Sequence, residues 1–213
     1  MKRILCYGDS NTWGYIAGTN PIERYDSKTR WTGVLKKELD NEYEIIEEGL
    51  NGRTTVWDDP IEGYKNGETY LTPCLDSHNP LDLVIIMLGT NDTKRRFSLS
   101  AFDIAAGMEK LVDIIKNSNV WQNGCEPKIL LMCPAPVKGL TLYAEMLEGA
   151  EEKSAKLNEH YEGIAERQGC YYLDIGTVVS PSPIDGIHLD DKAHKTVGQQ
   201  VAKAVRQIFS ESE

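Results

Sequence analysis

Short apolar runs recur along the chain at residues 4–7, 43–46, 83–88, 129–133 and 171–173. Each is continuous and rich in Ile, Leu and Val, the pattern of strands covered on both faces rather than on one. Between them the period changes to that of a helix. Residues 31–39 form one such stretch. A second opens at Ser100, with Asp103 three positions on as a capping box, and continues through Ile104, Met108, Leu111, Val112 and Ile115. A third spans 151–167, with Leu157, Tyr161, Ile164 and Ala165 on one stripe. The last spans 191–209, with Ala193, Val197, Val201, Ala204, Val205 and Ile208 turned inward. Strands alternating with helices predict an α/β fold: a flavodoxin-like, doubly wound sheet of five parallel strands with helices on both faces. Residues 1–213 read as one domain, with no repeat, low-complexity tract or linker. Two stretches, 15–30 and 56–69, fit neither period and are rich in Gly, Pro, Asp and Asn. Long loops in such folds commonly rim a binding site or form a contact between subunits.

Composition narrows the partners. The formal net charge is -10 over 213 residues, which repels phosphate backbones and anionic bilayers, so neither nucleic acid nor membrane is expected. No apolar run approaches the ~20 residues that span a bilayer. Lys2-Arg3 leads straight into the first strand run, without the apolar core of a signal peptide, and a cytoplasmic location is the expectation. The five cysteines, at 6, 74, 125, 133 and 170, are odd in number and widely spaced. They predict buried thiols rather than a disulfide framework or a zinc motif.

The polar residues cluster where the strands end. Gly8-Asp9-Ser10-Asn11 follows the first run, Gly49-Leu50-Asn51-Gly52 the second, and Gly89-Thr90-Asn91-Asp92 the third. Asp185-Gly186-Ile187-His188 precedes the last helix. In a doubly wound sheet the carboxyl ends of the strands share one edge, where ligands bind. A serine hydroxyl is a weak nucleophile until a base takes its proton. His188 can serve Ser10 in that way, and Asp185, three positions before it, can hold the other ring nitrogen. An oxyanion needs donors: the backbone N–H of Ser10, that of Gly52 and the side-chain amide of Asn91 are candidates. Asp9 and Asp92 are read as structural, satisfying backbone groups in turns. Trp13 is a candidate for the substrate-binding wall, together with Trp57. His78, His160 and His194 read as surface histidines. No spacing resembling H-E-x-x-H occurs, so no metal ligands and no cofactor are assigned. A flavin-binding module, with Ser10, Asn11 and Thr12 cradling a phosphate, is a remote alternative: Asp9 opposes a phosphate there and His188 is left without a role.

These four blocks, in this order, resemble the SGNH (GDSL-like) hydrolase family. Within it the chain is similar to the bacterial arylesterase/acyltransferase group that also performs perhydrolysis, through residues 2–6, 30–35, 46–50, 53–55, 82–94 and 185–188. Asn11 stands where the family name has Leu, and residues 139–149 are less similar. The resemblance implies a metal-free serine esterase or acyltransferase acting on small, short-chain esters through an acyl-enzyme, with transfer to alcohols or peroxide. It also implies a homo-oligomer. A carbohydrate O-acetylesterase, built on the same triad, is the alternative.

Overall fold

The computed structural model describes residues 1–118 and 126–211; Cys125 falls outside this range. Five strands, β1 (Lys2–Gly8), β2 (Tyr43–Gly49), β3 (Leu83–Met87), β4 (Lys128–Cys133) and β5 (Tyr171–Asp174), pair in the order β2-β1-β3-β4-β5, all parallel. This is the doubly wound arrangement expected from the apolar runs. The register sets Ile4 beside Leu83 and Tyr43 beside Lys2, so Gly8, Gly49 and Met87 finish side by side. Burial separates the strands further than the sequence did. β1, β3 and β4 are buried almost throughout, whereas β2 and β5 are half-buried along their whole length because they are the sheet's edges.

Alternate residues of β1 divide the core. Leu5 and Tyr7 face α3 (Gly67–His78), α4 (Ala101–Lys116) and α6 (Leu157–Gln168). Ile4 and Cys6 face α2 (Trp31–Glu38) and α7 (Asp191–Ser210). The period-2 geometry of a strand requires this division. The capping box at Ser100 and Asp103 is present, each side chain accepting from the other's backbone N–H. The helical stretch expected at 151–167 is broken: α5 (Ala150–Ala155) ends and α6 begins around Lys156, whose N–H bonds back three residues to Lys153 O rather than four. No helix among the described residues is long and apolar enough to cross a membrane.

Helix α3 has no counterpart in the sequence pattern, and its first residues lie in the stretch assigned to the 56–69 loop. Pro73 sits inside it and costs about 3 kcal/mol against an ordinary helical residue. Leu71 and Leu75 are fully buried, worth about 1.5–3 kcal/mol each, so packing outweighs the poor local signal.

Candidate active site

The chain leaves β1 through a single helical turn, α1 (Ser10–Trp13). Asp9 caps it, accepting the N–H of Asn11 at 3.0 Å. Gly49 makes room for the turn: a Cβ there would lie 2.2 Å from the backbone nitrogen of Trp13. Ser10 thus stands at the sheet edge with its hydroxyl 3.0 Å from His188 Nε2. His188 Nδ1 lies 2.6 Å from Asp185 Oδ2, while Asp185 Oδ1 accepts the backbone N–H groups of Ile187 and His188 at 2.9 and 3.0 Å. The carboxylate therefore grips both the ring and the backbone of the same histidine. Burial works to raise the Asp185 pKa, but the hydrogen bonds and the imidazole outweigh it and hold the group below the usual carboxylate range.

The three segments expected to supply oxyanion donors meet beside Ser10. Gly52 adopts φ +80, a left-handed conformation suited to glycine, and a Cβ there would come within 2.7 Å of Glu62 Oε2. Asn91 Nδ2 donates to Arg53 O at 3.1 Å and, more weakly, to Asp9 Oδ2 at 3.4 Å. This ties the amide to the loop that bears Gly52. Asp92 is fully buried and accepts the N–H of Thr55 at 2.9 Å and its hydroxyl, a strap across 37 residues. Burial pushes both Asp9 and Asp92 up to about 6.

Ser10, His188, Gly52, Asn51, Thr90 and Asn91 open onto a cavity of about 210 Å³. Its apolar wall is made by Tyr15, Ile22, Tyr143, Met146, Leu147 and Ile187. Trp13 and Trp57, expected to line the site, are not on this wall. Gly14, at φ 93, reverses the chain after α1. Tyr15 is thereby laid over His188, ring centroids 4.1 Å apart, and Trp13 is left outside against the Arg24 guanidinium. The Tyr15 hydroxyl meets that of Tyr143 at 3.1 Å, joining two loops across the cavity. Glu62 and Lys94 add a charged side to it. Lys94, 2% exposed, bonds Glu62 at 2.8 Å and Asp59 at 3.4 Å, and Arg96 reaches the same two carboxylates. This cluster anchors the 56–66 loop, and no residue spacing in the sequence announces it.

His194 corrects a further expectation. It is fully buried, not superficial, and its Nδ1 accepts the N–H of Trp31 at 3.3 Å, at the first turn of α2. Burial, then the nearby His188 and Arg30, lower its pKa to about 4, so it stays neutral. It follows Ala193 on the inner stripe of α7, where its polar sequence neighbours conceal it. His78 and His160 are partly exposed.

Residues 6–196 match the model of the GDSL-like lipase/acylhydrolase family. The chain belongs to this family. A carbohydrate acetylesterase from Sinorhizobium meliloti shares 40% identity over 98% of this chain and all of its own, with a TM-score of 0.94. An aryl esterase from M. smegmatis shares 42% identity over 97% of this chain and 99% of its own, with a TM-score of 0.93. No curated protein sequence matches. As a GDSL-like hydrolase the chain is a carboxylic ester hydrolase. Asn11, standing where the family name spells Leu, braces the site. Its Oδ1 accepts the N–H of Leu189 at 2.9 Å and its Nδ2 donates to Ile187 O at 3.3 Å. One amide therefore holds the backbone on both sides of His188 to the turn that carries Ser10.

Proposed function

We propose that this GDSL-like hydrolase cleaves short-chain esters through an acyl-Ser10 intermediate and passes the acyl group to water or to a small alcohol. The unbroken path of hydrogen bonds from Asp185 through His188 to Ser10, opening on a small cavity, carries the reading. Ser10 Oγ attacks the ester carbonyl while His188 Nε2 takes its proton. Asp185 keeps Nδ1 protonated and offsets the charge of the imidazolium. The oxyanion is met by the N–H groups of Ser10 and Gly52 and by Asn91 Nδ2, whose long bond to Asp9 is the easier of its two to give up. Collapse expels the alcohol, which receives the proton from His188. Water or a second alcohol, deprotonated by His188, then attacks the acyl-serine and restores the hydroxyl.

The cavity favours an acetyl or butyryl group over an octanoyl chain, because about 210 Å³ is below the ~300–1,000 Å³ of ordinary ligand pockets. Tyr15, Tyr143 and Met146 line it with largely apolar surface, which disfavours water and lets an alcohol compete for the acyl group. Glu62 favours a second reading, a hydroxylated leaving group such as a sugar acetate, since its partly exposed carboxylate, held by Lys94, can accept from hydroxyls at the rim. The phosphate-cradle reading loses one of its three donors, since both ends of the Asn11 amide and its backbone N–H are already bonded.

A phosphonate or sulfonyl fluoride is expected to label Ser10 alone, and Ser10→Ala to abolish nearly all turnover. Label found on another residue refutes the nucleophile. An acyl-length series that stays flat toward octanoate, with no new ester from added alcohol, refutes the short-acyl transferase. Sugar acetates in the same panel decide between the two leaving groups.

A further inference from the structure

Outside the catalytic cavity, three different donor side chains converge between the edge strand β2 and helix α3. Cys74 and His78 lie four residues apart on α3, on one face of the helix, and Glu48 reaches them from the end of β2. Their donor atoms, a thiol sulfur, an imidazole nitrogen and a carboxylate oxygen, all lie within 4.8 Å of one another. His78 Nε2 and Glu48 Oε1 are 2.8 Å apart. We propose that Glu48, Cys74 and His78 form a binding site for a thiophilic divalent cation, with zinc the best fit, that clamps α3 to β2.

Three features support the site. The donor set is the first: thiolate, imidazole and carboxylate together suit zinc, and poorly suit magnesium or calcium, which take oxygen donors. Two of the three donors are anionic when bound, so they neutralise a dication. The second is the spread of the donors. Bonds of about 2.0–2.3 Å around a tetrahedral zinc set neighbouring donors roughly 3.5 Å apart. Glu48 Oε1 and His78 Nε2, 2.8 Å apart, already lie within that spread, and both side chains are partly exposed.

The third is that the backbone behind each donor is already fixed. Glu48 is paired with Tyr7 in the sheet register. Cys74 is fully buried among the core residues of α3 and α4. The carbonyl of His78 accepts Arg3 Nη1 at 2.7 Å, which holds the end of α3. Little order remains to be created on binding. A water can complete the coordination.

Binding must displace the thiol proton. Burial, then the Glu48 carboxylate, push the Cys74 thiol up to about 12, with Arg53 pulling the other way. The metal therefore replaces the thiol proton, which leaves to the buffer, and forms the metal–sulfur bond in its place. The free thiol itself is unreactive, being both enclosed and protonated.

The test uses the full chain, freed of metal by a chelator and then dialysed. Zinc chloride is added in calorimetry and in thermal unfolding, and cobalt chloride in absorbance. The expected result is one zinc per chain, a rise in Tm, and a thiolate-to-cobalt charge-transfer band. Ligand loss costs more than the about 10–100-fold lost with an outer-shell partner, so Cys74→Ser and His78→Ala should each weaken zinc by at least about tenfold. His78 is partly exposed, so His78→Ala keeps the test valid if the buried Cys74→Ser does not fold. Glu48→Gln gives a third reading. Absence of stoichiometric zinc binding overturns the proposal. So does binding that His78→Ala leaves unchanged, or a cobalt complex without the thiolate band. The esterase activity of the metal-free chain separates this site from the Ser10 site, because turnover should persist without zinc.

Discussion

Two loops at the same sheet edge each bury an aspartate completely, and the two carboxylates behave in opposite ways. Asp185 lies against an imidazole and two backbone N–H groups, and its pKa is held below the usual carboxylate range. Asp92 lies against the N–H and hydroxyl of Thr55, and burial pushes its pKa up to about 6. Burial alone therefore does not make a carboxylate fit for catalysis. A partner that can become positive decides whether the buried group stays charged. In the proposed mechanism Asp185 steadies a charge that appears on His188, whereas Asp92 ties its own loop to Thr55.

The contrast breaks most visibly at Asp185. Asp185→Asn keeps the shape but turns the imidazole toward the wrong tautomer, and kcat should fall by about 10⁴-fold, as in other serine triads. Stopped-flow or steady-state assay with an aryl acetate measures it; a loss under about tenfold would show that Asp185 only braces the loop.

Next comes Asn91, the neighbour of Asp92. Asn91→Ala should lower kcat by about 10²–10³-fold with KM less affected, the usual loss of one oxyanion donor. A raised KM with intact kcat would make it a ground-state binding residue. Asn11→Leu, which restores the residue of the family name, should cost up to about 10²-fold in kcat through misplacement of His188. Unchanged turnover would show that Asp185 alone suffices to hold the ring.

The smallest effect on turnover is expected from Asp92→Asn, within a few-fold, but its pH signature sharpens the contrast. A carboxyl raised to about 6 in the fold keeps a proton that the unfolded chain has already lost. Its contribution to stability is present below the unfolded value near 3.8 and disappears as pH rises through about 6. Asp185 has the opposite sign: its contribution is present above the unfolded value and is lost as pH falls through its lowered folded value. Denaturant unfolding at about pH 4.5 and about pH 7.5 should therefore show that Asp92→Asn gains stability relative to wild type as pH rises, on the order of 2 kcal/mol. A difference independent of pH would mean that Asp92 is charged in the fold at both values.

Much of the fold and of the proposed catalytic site is legible in the chain itself. The apolar runs marked all five strands, since a strand covered on both faces must be apolar at every position. The glycine–aspartate and asparagine pairs marked the strand ends, because tight turns favour these residues. Asp185 and His188 were legible as a pair because their contact is local, three residues apart. Ser10 could be joined to them because parallel strands bring their carboxyl ends to one edge. Helix α3 was hidden by Pro73 and a weak stripe, and His194 by its polar sequence neighbours.

What the sequence determined by itself, then, was the set of faces, turns and local pairs, for these depend on residues within one or two turns of each other. The tertiary structure alone decided the long-range contacts. It placed Tyr15 over His188 where Trp13 was expected, strapped the His188 backbone to Asn11 across 176 and 178 residues, and set Lys94 between Asp59 and Glu62. It also brought Glu48 to Cys74 and His78. Each of these contacts depends on strand register and on the direction in which a loop leaves its strand. Neither leaves a periodic mark in the chain, because the partners share no turn and no repeat, and only the packed core fixes their distance.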